Sequence, residues 1–336
     1  MKTSSGLSRV NPLTYNLSMA GFIIGVIASM SLFVVATKAI DYTWRWYKIP
    51  SYFYGTTSYD VKADIQGTLE SIVTKDKKTL IIVKGINDSE EYSLPESGNM
   101  LVSVGDNIYP GDIMAQYKKT GIGLLTKGIL VTLEVSIYAS IFGIIIGIIG
   151  GIMRISANPA LKWTSIVYIE LIRGSPLLVQ IFIWYFVFAA IINGMLTSMG
   201  IHEISALWYG IAALSFFAGA YVTEIVRAGI ESINIGQIEA SRSLGMSSAQ
   251  CMYHIVLPQA LRRILPPLAG QFISLIKDSS LLGIIAVREL TKATREGITT
   301  SLQPYEFWFV CAILYLILTF TLSMFVQYLE RRMETP

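Results

Sequence analysis

The sharpest chemical signal in this chain is a pair of opposite charges standing side by side in an apolar run. In "FISLIKDSSLLGII", Lys277 and Asp278 are adjacent and are followed by Ser279 and Ser280. Ionisable groups at membrane depth are costly and face a bundle interior or a water-filled cavity. A Lys-Asp-Ser-Ser run of this kind can meet both charges of a zwitterionic solute. The same two charges can instead pair with each other, or across a dimer, and only hold the fold. Gln180, in a different apolar run, is a polar neighbour that either joins this path or makes an interhelical hydrogen bond.

A second signal is mechanical. "IEASRSLGMSSAQCMYHIVLP", residues 238 to 258, is polar and helix-prone in a chain that is 53% hydrophobic. "NIGQIEASRSLG" reads as a short helix that Asn234 caps and Gly245 stops. Ser247 and Gln250 then have capping-box spacing, and a second helix is expected to follow and end near Pro258. A plain connection needs only a few residues. This segment is longer, with defined ends, so it reads either as a docking hairpin or as an interfacial hairpin with no partner.

These residues need elements to hold them. Charged residues make up 15% of the 336 positions, against about 25% in soluble domains, which points to a membrane protein. The net charge of +3 gives no support to nucleic-acid binding. Six apolar runs are near the roughly 20 residues a span requires: about 17–38, 128–152, 174–194, 204–226, 264–287 and 307–329. The first is longer than the apolar core of a signal peptide and reads as a retained anchor. Glu134 interrupts the second and is expected to face another helix. At the start of the third, Ser175 reads as an N-cap with Pro176 at the first helical position; Arg173 lies just before it.

Placing the N-terminus inside puts Lys2, Arg9, Arg154, Lys162, Arg227, Arg242, Arg262, Arg263, Arg331 and Arg332 on the inner side. Only Arg288, Lys292 and Arg295 fall in the short outer loops. Both termini and the 238–258 segment are therefore expected to be cytoplasmic. Glu224, Arg227 and Glu231 have the spacing of a helical ion-pair ladder at the inner face. Cys251 and Cys311 form no disulfide or metal pattern, and a metal role for His202 is not expected.

Residues 41–119 differ from the rest. Nine Lys/Arg and eleven Asp/Glu accompany short β-prone pieces, "LESIV", "TLIIV" and "NMLVSV", set between turn signals "KDKK", "ESGN" and "YPGD". This predicts a small all-β extracytoplasmic domain. "SVGDNIYPGDIMAQ" resembles the hairpin of barrel-sandwich hybrid domains. Lys75 and Lys77 lie in a turn but lack the flanking pattern of a lipoyl or biotinyl site. The preceding "YTWRWYKIPSYFY" reads as an interfacial belt, a packing edge for the β domain, or a contact surface.

With these residues in hand, a resemblance becomes visible. Glu239, Ala240, Gly245, Ile255, Leu257 and Pro258 match the EAA loop of ABC-importer permeases. The likeness spans residues 122–333 and includes "YIELIRGSPLLVQIF", "AGAYVTEIVRAGIESI" and "LPQALRRILPPLAGQFISLIKDSSL". Together they resemble the polar amino acid uptake subfamily, which includes histidine, glutamine and arginine permeases. One departure stands before the helix: Asn234-Ile235-Gly236-Gln237 replaces the common Pro-Lys-Gly-Gln.

The resemblance implies a mainly α membrane protein, a type I ABC importer bundle of about six spans, plus the β domain. The expected parts are a tail (1–16), an added helix (17–40), the β domain (41–119) and a five-span core (120–336) with its coupling loop at 231–258. The chain lacks the phosphate loop G-x-x-x-x-G-K-[ST], so no cofactor is expected on it; ATP and Mg belong to a separate ATPase dimer. Gly236, Glu239, Ala240, Gly245, Ile255, Leu257 and Pro258 would couple to that ATPase. Lys277, Asp278, Ser279, Ser280 and Gln180 would line the substrate pathway. Further expected partners are a second permease subunit, with a homodimer preferred over a sister subunit, an extracytoplasmic amino-acid-binding protein, the amino acid and membrane lipid. An ion-coupled transporter and a membrane-anchored scaffold displaying the β domain are the alternatives.

Overall fold

A computed structural model describes residues 12–75, 78–85, 89–95 and 98–333. Lys2, Arg9, Lys77 and parts of the expected "KDKK" and "ESGN" turns lie outside the described residues. The chain divides into two compact units, residues 1–46 and 47–336. The first unit holds helix α1 (Pro12–Ala39). Its stretch Leu17–Ala39 is long and apolar enough to cross a membrane, and almost all its described side chains are exposed. After it, the rings of Trp44 and Trp46 stack 5.5 Å apart with planes 4° from parallel.

A 3-10 turn, Trp46–Tyr52, is followed by seven strands among the described residues. These are β1 (Tyr54–Lys62), β2 (Gly67–Lys75), β3 (Lys78–Lys84), β4 (Ser89–Pro95), β5 (Asn99–Met100), β6 (Asn107–Ile108) and β7 (Ile113–Ile122). They form a three-stranded sheet ordered β1-β7-β5 and a four-stranded sheet ordered β4-β3-β2-β6. Leu69, Ile81, Val83, Leu94, Ile108 and Met114 fill the core.

The sequence repeat of Val-Gly-Asp and Pro-Gly-Asp makes two turns of one kind. Gly105 and Gly111 both adopt φ +97°, a conformation that favours glycine. The carboxylates of Asp106 and Asp112 accept from the amides of Ser103 and Tyr109 at 2.8 and 2.9 Å. β1 and β7 pair along their length, with Tyr54 opposite Ile122, so the chain leaves the β region beside where it entered.

The helical part comprises α2 (Leu124–Arg154), α3 (Pro159–Arg173), α4 (Leu177–Phe182), α5 (Ala189–Ser198) and α6 (Ala206–Glu231). It continues with α7 (Ile235–Ser243), α8 (Ser248–Cys251), α9 (Leu257–Asp278), α10 (Leu290–Ser301) and α11 (Pro304–Met333). Together with α1, five helical stretches here have the length and composition of membrane spans, and each overlaps an expected run. A π turn, Ile183–Phe188, joins α4 to α5 in the third.

α2 and α6 lie against each other along a seam of small residues. A Cβ on Gly147 would stand 2.3 Å from Val222, and one on Gly151 would stand 2.5 Å from Val226. The hydrogen at these positions lets the two backbones approach closely. The aromatic stretch serves packing in part: Ile49 is buried with Leu125, Leu290 and Phe307. The Tyr52 ring meets Phe307 edge-on at 4.7 Å, and Phe53 O accepts from Gly123 N and Thr126 Oγ1 at 2.8 and 2.9 Å. Tyr47, by contrast, is exposed.

Between the second and third expected runs, α3 is a helix whose N-cap is Asn158: its side chain accepts from Ala160 N, with Pro159 in the first turn. Two local expectations are corrected. Ser175 is not an N-cap; its hydroxyl donates to Leu171 O at 2.8 Å, and α4 starts after Pro176. The helix after Ser247 does not end at Pro258. It passes through a π turn, Met252–Val256, straight into α9. The wider turn lets Leu257 N reach Met252 O. The Gln259 side chain donates to Ile255 O at 2.9 Å, and Pro258 stands in the first turn of α9, where a missing N–H is tolerated.

Candidate functional site

The segment from Asn234 to Pro258 is built as a closed hairpin. Asn234 Oδ1 accepts from Gly236 N at 2.8 Å and starts α7. At its other end Gly245 takes φ +80°. Its amide donates to Arg242 O at 2.9 Å, and Met246 N donates to Ser241 O at 3.1 Å, which satisfies two of the last carbonyls in a Schellman motif. Both halves of the Ser247–Gln250 capping box are present. Ser241 Oγ lies 2.9 Å from Cys251 Sγ, both buried. Beneath, Val226, Ile233, Val256, Ala260 and Ile264 form a core shared by α6, the hairpin and α9.

The hairpin is anchored on its inner side and bare on its outer side. Gly236, Glu239, Ala240 and Gly245 are exposed. Ile235, which opens α7, and Leu244, just past its end, are exposed to 66% and 83%. Ile255, Leu257 and Pro258 belong to the helix that continues into the span, with Ile255 packed on the hairpin core.

α9 has a two-faced surface. Ala260, Ile264, Leu275 and Ile276 are buried. On the opposite face Arg262, Arg263, Gly270 and Lys277 are exposed, and nothing lies within 4 Å of a Cβ on Gly270. Gln259, Arg263, Gly270, Ser274 and Lys277 fall on one line at helical spacing. Pro266 and Pro267, on the same side, cannot donate to the carbonyls of Arg262 and Arg263. A polar stripe thus runs the length of a membrane helix.

Lys277 and Asp278 close that helix; a 3-10 turn, Ser279–Ile285, follows, and Ala286 is left-handed at φ 63°. No ion pair joins Lys277 to Asp278 among the described residues. Lys277 and Ser280 line a cavity of about 320 Å³ with Thr291, Trp308, Cys311 and Tyr315. Ser279 is turned inward, its hydroxyl donating to Ile276 O at 2.8 Å. Gln180 is buried at the α3–α4 turn. Its Nε2 donates to Ile172 O at 2.7 Å and to Ser175 Oγ at 2.9 Å, while Oε1 has no partner. The structure therefore groups Lys277 with Ser280 and sets Ser279 and Gln180 apart from that cavity.

One residue behind the cavity was not singled out from the sequence. Glu289 is fully buried and caps α10, accepting from Thr291 N and Lys292 N, each at 2.7 Å, and from Tyr315 Oη at 2.9 Å. Burial pushes its carboxyl above the ordinary range, against the pull of these donors. Thr132 on α2 accepts from Leu290 N at 3.0 Å and ties the start of α10 to the bundle. The signal was present in Glu289-Leu290-Thr291, an acidic residue just before a helix.

Where α2 and α6 end, Glu224 pairs with Arg227 at 2.8 Å and Arg154 at 3.8 Å, and Arg227 also pairs with Glu231. The expected ladder forms and recruits the last residue of α2. Glu134, expected to face another helix, is exposed on α2; the neighbouring helices of this chain leave that face open. Among the described residues no group of three His, Cys, Asp or Glu could hold a metal ion, and His202 is exposed.

The helical part is similar to known proteins. Residues 143–335 match the family model for binding-protein-dependent transport system inner membrane components, so the strands lie outside the matched part. The probable glutamine ABC transporter permease protein GlnM of Bacillus subtilis is 36% identical over 207 residues, 62% of this chain and 92% of that protein. The L-cystine transport system permease protein TcyB of Bacillus subtilis is 37% identical over 212 residues, 63% of this chain and 87% of that protein. A chain of an amino acid ABC transporter crystallised with histidines superposes with TM-score 0.56 at 35% identity, covering 62% of this chain and 94% of that one. Inward-facing MetNI shares the fold at 22% identity and TM-score 0.53. These likenesses do not favour the ion-coupled transporter or the scaffold. A closed hairpin, a span with a polar stripe and a family match over more than half the length lead to one conclusion: the chain belongs to the binding-protein-dependent transport system inner membrane components, the permease subunits of ABC importers.

Proposed function

We propose that this permease imports polar or charged amino acids, driven by a separate ATPase dimer that seizes α7. The carrying observation is the bare outer side of α7 on a hairpin rigidly joined to α6 and α9. An ATPase groove that covers Ile235 and Leu244 removes their apolar surface from water, and Ala240 and Gly245 permit close approach. Glu239 supplies a charge-assisted anchor. The α7–α8 hairpin continues into α9 through one π turn, so closure of two ATPase subunits moves the spans as levers.

The pathway runs along the polar stripe of α9, with Lys277, Asp278 and Ser280 at its outer end meeting the two charges of the substrate. Ser279 and Gln180 support it by shaping the helix ends. A second copy completes the pathway. The exposed Glu134 and the uncovered stripe favour this, because charges at membrane depth face protein or water. Charge asymmetry favours cytoplasmic termini, which puts residues 41–119 outside the membrane. There the β domain helps dock or retain an amino-acid-binding protein, a reading supported by its packing on the bundle through Tyr52 and Phe53. The relatives' names supply the substrate class, with glutamine as the first solute to test.

The deciding experiment is reconstitution with the ATPase and binding protein and a panel of amino acids. Gly245→Asp or Glu239→Lys is expected to leave ATP hydrolysis but abolish its coupling to uptake. Full coupled uptake in both variants overturns the hairpin's role. Unchanged uptake and unchanged binding-protein affinity after deleting residues 45–118 overturn the role given to the β domain.

A further inference from the structure

The pathway reading accounts for the outer end of the α9 stripe and leaves its inner end without a task. There, a cavity of about 560 Å³ opens between the ends of α3, α6 and α9, within the roughly 300–1,000 Å³ common for small-molecule sites. Arg173, Arg227 and Arg263 line it, with Glu224, Tyr221 and Ser232. Three guanidinium groups against one carboxylate leave two positive charges in excess.

The three arginines are not equivalent. Arg227 is spent on Glu224 and Glu231. Arg173 and Arg263 have no carboxylate within ion-pair distance among the described residues. Arg173 is instead held over the Tyr221 ring at 5.2 Å, and Arg263 Nη1 donates to Ser232 O at 2.5 Å. Each contact fixes a guanidinium and leaves most of its donors free. Two pre-positioned, uncompensated arginines on separate helices are suited to clamp one carboxylate.

Arg263 also lies on the polar stripe, 14 positions before Lys277, about 21 Å away at about 1.5 Å per residue. We infer that this cavity is a second substrate station, at the cytoplasmic mouth, where Arg173 and Arg263 receive the carboxylate of the amino acid before release. The inference rests on the import reading and orientation above. A solute passing from Lys277 then meets a cation at each end of the stripe.

The test uses inside-out vesicles carrying the full permease with its ATPase. Ala228→Cys and, separately, Ser232→Cys report on the cavity: both positions are exposed and line it, whereas Cys251 and Cys311 are buried. A membrane-impermeant maleimide labels the new thiol with or without L-glutamine or its α-amide. L-glutamine is expected to slow labelling of both reporters, and the α-amide is not. Arg173→Gln should raise the half-protecting concentration about tenfold or more, the loss expected for one charge-assisted bond. Equal protection by the α-amide, or none by any amino acid in the panel, overturns the station. So does protection that follows the phosphatidylethanolamine content of the vesicles and ignores added amino acid, which makes the cavity a lipid-headgroup site. Uptake by the same complex separates the two readings. Protection without import retains the site and overturns the import reading, while import without protection overturns the site alone.

Discussion

The Ser241 hydroxyl and the Cys251 sulfur lie 2.9 Å apart, both buried, and join α7 to the start of the helix that becomes α9. The contact closes the hairpin on its buried side. It makes the hairpin one stiff body rather than two helices on a flexible turn.

Loosening this tie should therefore weaken force transfer before it weakens folding. Ser241→Ala removes the hydroxyl's contacts with Cys251 and Ile238 O, a cost of about 1 kcal/mol. The expected outcome is a normal yield of folded protein, a small drop in melting temperature, and fewer solutes moved per ATP. Simultaneous transport and hydrolysis measurements check it; an unchanged ratio shows that the tie is only packing.

The α2–α6 seam should tolerate no added volume. A side chain at Gly147 meets Val222 at 2.3 Å on an interface of two buried helices. Gly147→Leu is expected to destabilise by about 1–3 kcal/mol or more, the cost of overpacking. Gly194 has nothing within 4 Å of its Cβ position, and Gly194→Ala should be near neutral. Thermal unfolding of the two variants in detergent compares them directly.

Glu289 separates acceptor from charge. Its carboxylate takes three hydrogen bonds in a buried site. Glu289→Gln sheds the cost of a buried charge but sets an NH2 donor against one of the two backbone amides that both oxygens serve, so it is expected to cost about 1 kcal/mol. Glu289→Ala leaves the amides of Thr291 and Lys292 without their acceptor and should cost about 1–3 kcal/mol. A melting-temperature series over the three proteins decides this, and equal losses in both variants show that the charge itself is needed.

Much of the architecture was legible before any coordinates. Six spans announced themselves because a bilayer demands long apolar runs, and each is met by a helix. The hairpin was legible because Asn234, Gly245, Ser247 and Gln250 act locally: a cap or a left-handed turn depends on a few neighbouring residues. The β region was legible for the same reason, from its Gly-Asp turns.

What the chain could not declare was set by contacts between distant residues. Helix α3 was overlooked although Asn158-Pro159 carried its start signal, because its apolar stripe is short. Pro258 was taken as a stop because proline usually is one; the π turn that carries the helix through it depends on wider hydrogen bonding. Adjacent charges at Lys277 and Asp278 suggested a pair, yet neighbouring side chains on a helix point about 100° apart. Tertiary packing turned Lys277 to an open cavity and Ser279 inward. Only packing, too, could bring Arg173, Tyr221 and Arg263 to one cavity from three helices, since local preference is written over a few residues and convergence over a hundred.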